Sequence, residues 1–176
     1  MPDIGPLARE IFEHPEVQAL LRILLAGALG ALIGLEREME GKPAGVRTYG
    51  LVGMGAATFT ISGVLVFGAG DPASRVGQGI VTGIGFIGAG TILHMSRRVV
   101  GLTTAAGLWV SAAIGMAIGG GLLILGIGAA VALFLLLQFV RPEVLVRFGV
   151  ATDEDVEGRL PKRGGGDNDN GDSEDR

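Results

Sequence analysis

"VVGLTTAAGLWVSAAIGMAIGGGLLILGIGAAVALFLLLQFV", residues 99–140, holds no aspartate, glutamate, lysine or arginine over 42 positions. An apolar helix needs about 20 residues to cross the hydrocarbon core of a bilayer. This stretch therefore has the length of two crossings, and its "GGG" at 119–121 supplies the turn, because glycine accepts turn dihedrals that other residues resist. Moving toward the N-terminus, residues 76–96 and 48–70 are also free of acids and bases over 21 and 23 positions. Each fits one crossing. Uncharged runs of this length do not suit the half-exposed helices of a water-soluble core.

Composition supports the same reading. Of 176 residues, 32 are glycine and 48% are hydrophobic. Without a G-X-Y period such glycine use is not collagen, whereas helices that approach closely in lipid use Gly and Ala at their contacts. The absence of cysteine excludes disulfides and thiolate metal sites. The N-terminal stretch lacks a basic region and does not read as a cleaved signal peptide. The net charge of −4 resides in the tail, since residues 1–163 carry 13 bases and 13 acids; nothing in this balance points to nucleic acid.

The expected fold is an all-α membrane protein of about five transmembrane helices, at 17–35, 48–68, 76–95, 101–118 and 122–140. Residues 1–16 form a lead, 17–140 the transmembrane domain, 141–163 a juxtamembrane segment and 164–176 a disordered acidic tail. Arg37, Lys42, Arg47, Arg97, Arg98, Arg141 and Arg147 collect on one side. The positive-inside rule then places the N-terminus outside and the C-terminus inside.

Small residues recur four apart in two helices: Ala26, Gly30 and Gly34 in the first, and Gly107, Ser111, Gly115 and Gly119 in the fourth. Such seams permit close backbone contact. The third helix carries Gly79, Gly83, Gly85, Gly88 and Gly90. It is either an enclosed central helix or a broken one lining a pathway. Thr58, Thr60, Ser62, Thr82, Thr91, Thr103 and Thr104 could bond back to their own helices or line that pathway. Arg22 is expected to snorkel near the outer end, with Asp71 as a partner. His94 reads as interfacial, and Trp109, in mid-helix, suits packing.

The charges gather between the first two helices, in "GLEREMEGKPAGVRT" at 34–48. If the first helix continues through Met39, Glu36 and Glu40 share one face. Two carboxylates so placed could hold Mg²⁺, which favours one or two carboxylates and retained waters. Arg37, Glu38, Lys42, Arg47 and Thr48 instead permit an ion-pair cluster that fixes helix depth, or a surface for a partner. Pro43 ends the helical course at Lys42. No nucleotide loop, Ser/His/Asp set or HExxH motif is present, and the chain is not expected to be an enzyme or to need a cofactor beyond Mg²⁺ as a ligand or substrate.

"ALIGLERE", "GKPAGVRTYGLVGMGAATFT", "GIGFIGAGTIL" and "GLTTAAGLWVSAAIGMAIGGG" occur in this order within residues 17–140 and resemble the MgtC/SapB membrane family. The family's motif positions fall on Glu36, Arg37, Glu38, Gly41, Pro43, Gly45, Arg47 and Thr48. They continue on Gly83, Gly85, Gly88, Ala89 and Gly90, then on Gly101, Leu102, Thr103, Thr104, Ala105 and Trp109. The resemblance implies a bacterial inner-membrane protein involved in adaptation to low magnesium and, in pathogens, in survival inside host cells. It implies either regulation of other membrane machinery, ATP synthase included, or Mg²⁺ transport. The expected surroundings are the lipid bilayer, further copies of the chain and another membrane protein complex. Longer members carry a soluble ACT-like C-terminal domain, and this chain is expected to be a short form without it.

Overall fold

The computed structural model describes residues 14–95 and 98–139. The chain divides into two units, Met1–Leu136 and Leu137–Arg176, and of the second only the end of the last helix is described. The expectations for most of the lead, for the juxtamembrane segment and for the acidic tail lie outside the described residues.

Among the described residues five helices follow one another: α1 (Pro15–Met39), α2 (Val46–Phe67), α3 (Asp71–Ala89), α4 (Leu102–Gly119) and α5 (Leu123–Phe139). Between α3 and α4 lies a short antiparallel pair, β1 (Leu93–Met95) and β2 (Arg98–Val100), with Leu93 opposite Val100. This corrects the third helix, which ends six residues before Met95. There the Thr91 hydroxyl and N–H both donate to the Gly88 carbonyl, and the Ile92 N–H to that of Ala89. Such tightened bonds close a last helical turn, and the chain leaves in extended form. At its other end α3 begins earlier than expected, with Asp71 in its first turn, where a carboxylate complements the helix dipole.

Both α1 and α4 end in the same way. Gly41 and Gly121 have φ of 64° and 85°. After α1, Lys42 N–H reaches the Arg37 carbonyl and Gly41 N–H that of Glu38; after α4, Leu122 N–H reaches Ala117 and Gly121 N–H reaches Ile118. This paired bonding satisfies carbonyls that the helix end would orphan, and it requires the left-handed backbone that glycine supplies. The Arg22 guanidinium lies against Gly121, so its neighbour is the carbonyl-rich end of α4, favourable for a cation.

The core is made of α1, α2 and α4, and it is built on absent side chains. A Cβ on Gly34 would come within 2.6 Å of the Gly45 carbonyl oxygen, and one on Gly53 equally close to that of Ala26. A Cβ on Gly119 would lie 2.8 Å from the Ala57 carbonyl oxygen, and one on Gly115 would collide with that of Gly53. Backbone thus packs on backbone, and Gly107, Ser111, Gly115 and Gly119 of α4 are all buried. Large apolar side chains point the other way: Leu51, Phe59 and Leu65 on α2, Phe86 on α3, Ile124 and Leu136 on α5 are exposed. Trp109, expected to serve packing, is half exposed, because α4's inner face is occupied by small residues.

A small-residue interior with a large apolar exterior inverts the pattern of a water-soluble domain and suits lipid as the outer solvent. Among the described residues three helices, α1, α2 and α4, are long and apolar enough to cross a membrane, and α5 is a shorter apolar helix of 17 residues. The chain is a multi-pass membrane protein.

Candidate functional site

The end of α1 carries Glu36 and Arg37, each only 5% exposed. Adjacent helical residues point about 100° apart and do not normally face one another. Here the long Arg37 side chain folds back. Its Nε donates to Glu36 Oε2 and its Nη2 to Glu36 Oε1, both at 2.5 Å. The pair is therefore a two-pronged clasp, the geometry a guanidinium offers a carboxylate. Burial makes it a consequential one: two charges removed from water recover their desolvation cost only while both are present.

Glu38, one residue further, has a different partner. Its Oε2 accepts the N–H of Val46, the first residue of α2, at 3.0 Å. That amide is one of the donors a helix start leaves without an internal acceptor. Gly45 is the N-cap residue, and a side chain there would displace the Glu38 carboxylate. So Glu38 stitches the end of α1 to the start of α2, across the turn containing Pro43. Glu40, Lys42 and Arg47 are exposed and Thr48 is half-buried.

Tyr49 connects this corner to α4. It lies within electrostatic reach of Glu36 and Arg37 and is fully buried. Its hydroxyl donates across to the Thr104 carbonyl at 3.4 Å, and its own carbonyl accepts the Ser111 hydroxyl at 3.2 Å. Gly30 of α1 packs on that same carbonyl, and Gly107 of α4 beneath the phenol oxygen. One residue thus joins three helices. Tyr49 is not among the residues singled out by motif or spacing, although it is the chain's single tyrosine and a buried phenol needs a polar partner.

The structure gathers some sequence candidates and scatters others. Glu36, Arg37, Thr104, Gly107 and Ser111 meet around Tyr49, and Gly115 continues the same seam against α2. Thr103 is exposed, and Cβ atoms on Gly83 and Gly85 would meet no other group within 4 Å. Gly88 packs on Ala105, and Gly90 caps α3. The hydroxyls of Thr58, Thr60 and Thr82 donate to carbonyls of their own helices, whereas that of Ser111 crosses between helices. Among the described residues no group of three or more His, Cys, Asp or Glu side chains is placed to hold a metal ion.

Comparison with known proteins fits this arrangement. The chain is 47% identical over 126 residues to a protein of Escherichia coli (strain K12) that bears the name "Putative magnesium transporter YhiD", covering 68% of this chain and 59% of YhiD. It is 46% identical over 134 residues to SrpB of Synechococcus elongatus, covering 68% of this chain and 74% of SrpB. Against MgtC of Brucella abortus it is 48% identical over 124 residues, 69% of this chain and 52% of that protein. The chain therefore spans little more than half the length of YhiD and of Brucella MgtC. No solved structure matches it. Residues 23–144 match the MgtC family, a span that takes in the Glu36–Arg37 clasp, Tyr49 and the α4 seam, and the chain belongs to that family.

Proposed function

We propose that this protein acts in the bacterial inner membrane as a regulatory or homeostatic protein of magnesium limitation, not as the magnesium conduit itself. The observation that carries this reading is the commitment of its acids. Both oxygens of Glu36 are clasped by Arg37, and Glu38 caps α2. A hydrated Mg²⁺ recruits carboxylates as direct or water-bridged ligands, and these two already serve internal donors. The tight backbone packing of α1, α2 and α4 supports the same reading, because it fills the centre of the helix cluster.

In this reading the turn between α1 and α2 faces the cytoplasm, as the distribution of bases suggests, and presents Lys42 and Arg47 to a membrane partner. Self-association would use faces other than the α4 seam, which is occupied within one copy. The second reading, a divalent-cation transporter, is favoured by the name that YhiD carries.

Mg²⁺ flux into liposomes separates the two. Wild-type protein, shown to be folded, should give the same flux as empty liposomes, as should Glu36→Gln. Protein-dependent flux in the wild type would overturn the regulatory reading, and its fall in a Glu36→Gln variant shown to be equally folded would place an ion path at this corner.

A further inference from the structure

Beside the core, α2 and α3 part to leave an apolar groove of about 710 Å³. The two helices meet at one end, where Gly63 packs on Val76. Beyond that contact α3 rests on α4, through Gly77 on Met116 and Gly88 on Ala105. The groove opens between these contacts, with Ala112 of α4 among its lining residues and Arg47 and Thr48 at its far end.

Its walls are unusual. Gly55 on α2, and Gly79 and Gly83 on α3, line it, and a Cβ on any of the three would meet no other group within 4 Å. Glycine costs about 1 kcal/mol of helix propensity against alanine in water. In the core that cost accompanies helix-to-helix contact. Here it accompanies empty space on an otherwise apolar face.

Length and charge identify the occupant. From Arg47 to Phe59 the groove follows α2 over twelve residue steps, roughly 18 Å of helix, close to one leaflet of a hydrocarbon core about 30 Å thick. Its mouth holds an exposed cation, Arg47, which has no ion-pair partner among the described residues. The first-turn amides of a helix lack internal acceptors. Glu38 takes that of Val46, leaving those of Arg47 and Thr48 at the mouth without an acceptor among the described residues. A cation and free amides at the membrane boundary, continued by one leaflet of apolar trough, match one phospholipid.

We infer that the α2–α3 groove is a binding site for an anionic phospholipid, with one acyl chain along Gly55, Gly79 and Gly83 and the headgroup phosphate on Arg47. The site is independent of whether the protein regulates or transports.

Native mass spectrometry tests it, with the full chain in micelles holding equal amounts of phosphatidylglycerol and phosphatidylcholine. Wild-type protein should retain phosphatidylglycerol in preference. Gly83→Leu fills the groove from α3 and Gly55→Leu fills it from α2; either, if folded, should abolish retention. Gly128→Leu, at a glycine with open space outside the groove, should retain lipid like wild type. Arg47→Gln should reduce the preference for phosphatidylglycerol about fivefold, the effect expected of one basic residue at an anionic headgroup. Unchanged retention in both groove-filling variants would overturn the proposal, as would an equal loss in Gly128→Leu. A lipid-free dimer in wild type that dissociates in Gly83→Leu would overturn it too, and would assign the groove to a second copy of the chain.

Discussion

The phenol oxygen of Tyr49 occupies the space where Gly107 would carry a side chain. Through that vacancy α2 reaches the first turns of α4, and the Tyr49 hydroxyl finds the Thr104 carbonyl at 3.4 Å. The same residue offers its backbone carbonyl to Ser111 on α4 and packs it on Gly30 of α1. The corner therefore depends on a large residue facing two glycines and a serine.

Gly107→Leu should consequently destabilise the protein more than Tyr49→Phe. The leucine meets the phenol head-on, and overpacking of this kind costs about 1–3 kcal/mol. The phenylalanine keeps the ring and loses one long hydrogen bond, worth about 1 kcal/mol at most. Chemical unfolding in detergent, followed by the fluorescence of the single tryptophan, Trp109, gives both values. A larger loss for Tyr49→Phe would show that the hydroxyl, not the close packing, holds the corner.

Glycines of the core and of the groove should respond in opposite ways to alanine. At Gly115 the added methyl collides with the Gly53 carbonyl, whereas at Gly55 it meets nothing. Gly115→Ala should lower the unfolding temperature, with a loss of about 1–3 kcal/mol. Gly55→Ala should leave it unchanged or raise it, since alanine favours the helix by up to about 1 kcal/mol. Equal effects at the two positions would contradict the packing described for α2 and α4.

The buried clasp gives a third test. Removing one partner strands the other charge, so Glu36→Gln and Arg37→Met should each cost about 3–5 kcal/mol. The double variant Glu36→Gln/Arg37→Met strands no charge and should be more stable than Arg37→Met alone. A double-mutant cycle of unfolding free energies measures the coupling. Additive losses would mean that the two side chains do not depend on one another.

Much of this arrangement was legible in the sequence. Charge-free runs of more than 20 residues mark membrane helices because charge is costly in lipid, and small residues four apart mark a face because that spacing returns to one side of a helix. The end of α3 was not legible: "GAGTILHM" holds no acid, lysine or arginine through Met95, and hydropathy cannot distinguish a helix from an extended pair. Nor did spacing reveal the Glu36–Arg37 clasp. Neighbours in a helix diverge, and only the folded-back guanidinium joins them. Arg22 differs from the expected pairing with Asp71 for a related reason: its neighbour, the end of α4, is a cluster of backbone carbonyls with no signature in side chains.

Arg47 and Arg75 offer the last comparison, because both are exposed arginines near the start of a helix. Arg47 stands at the mouth of the groove, beside the turn proposed to face a partner. Arg75 lies in α3 near its first turn, outside both. In cells lacking their own copy, Arg47→Ala should impair growth at limiting magnesium, and Arg75→Ala should support growth close to wild type. Arg47→Lys separates charge from shape, since lysine keeps the cation but not the planar fork. Recovery with lysine would show that charge suffices, as for a phosphate contacted by a point charge; failure would require the guanidinium itself. If Arg75→Ala impaired growth as much as Arg47→Ala at equal protein level, the turn between α1 and α2 would lose its place as the functional face.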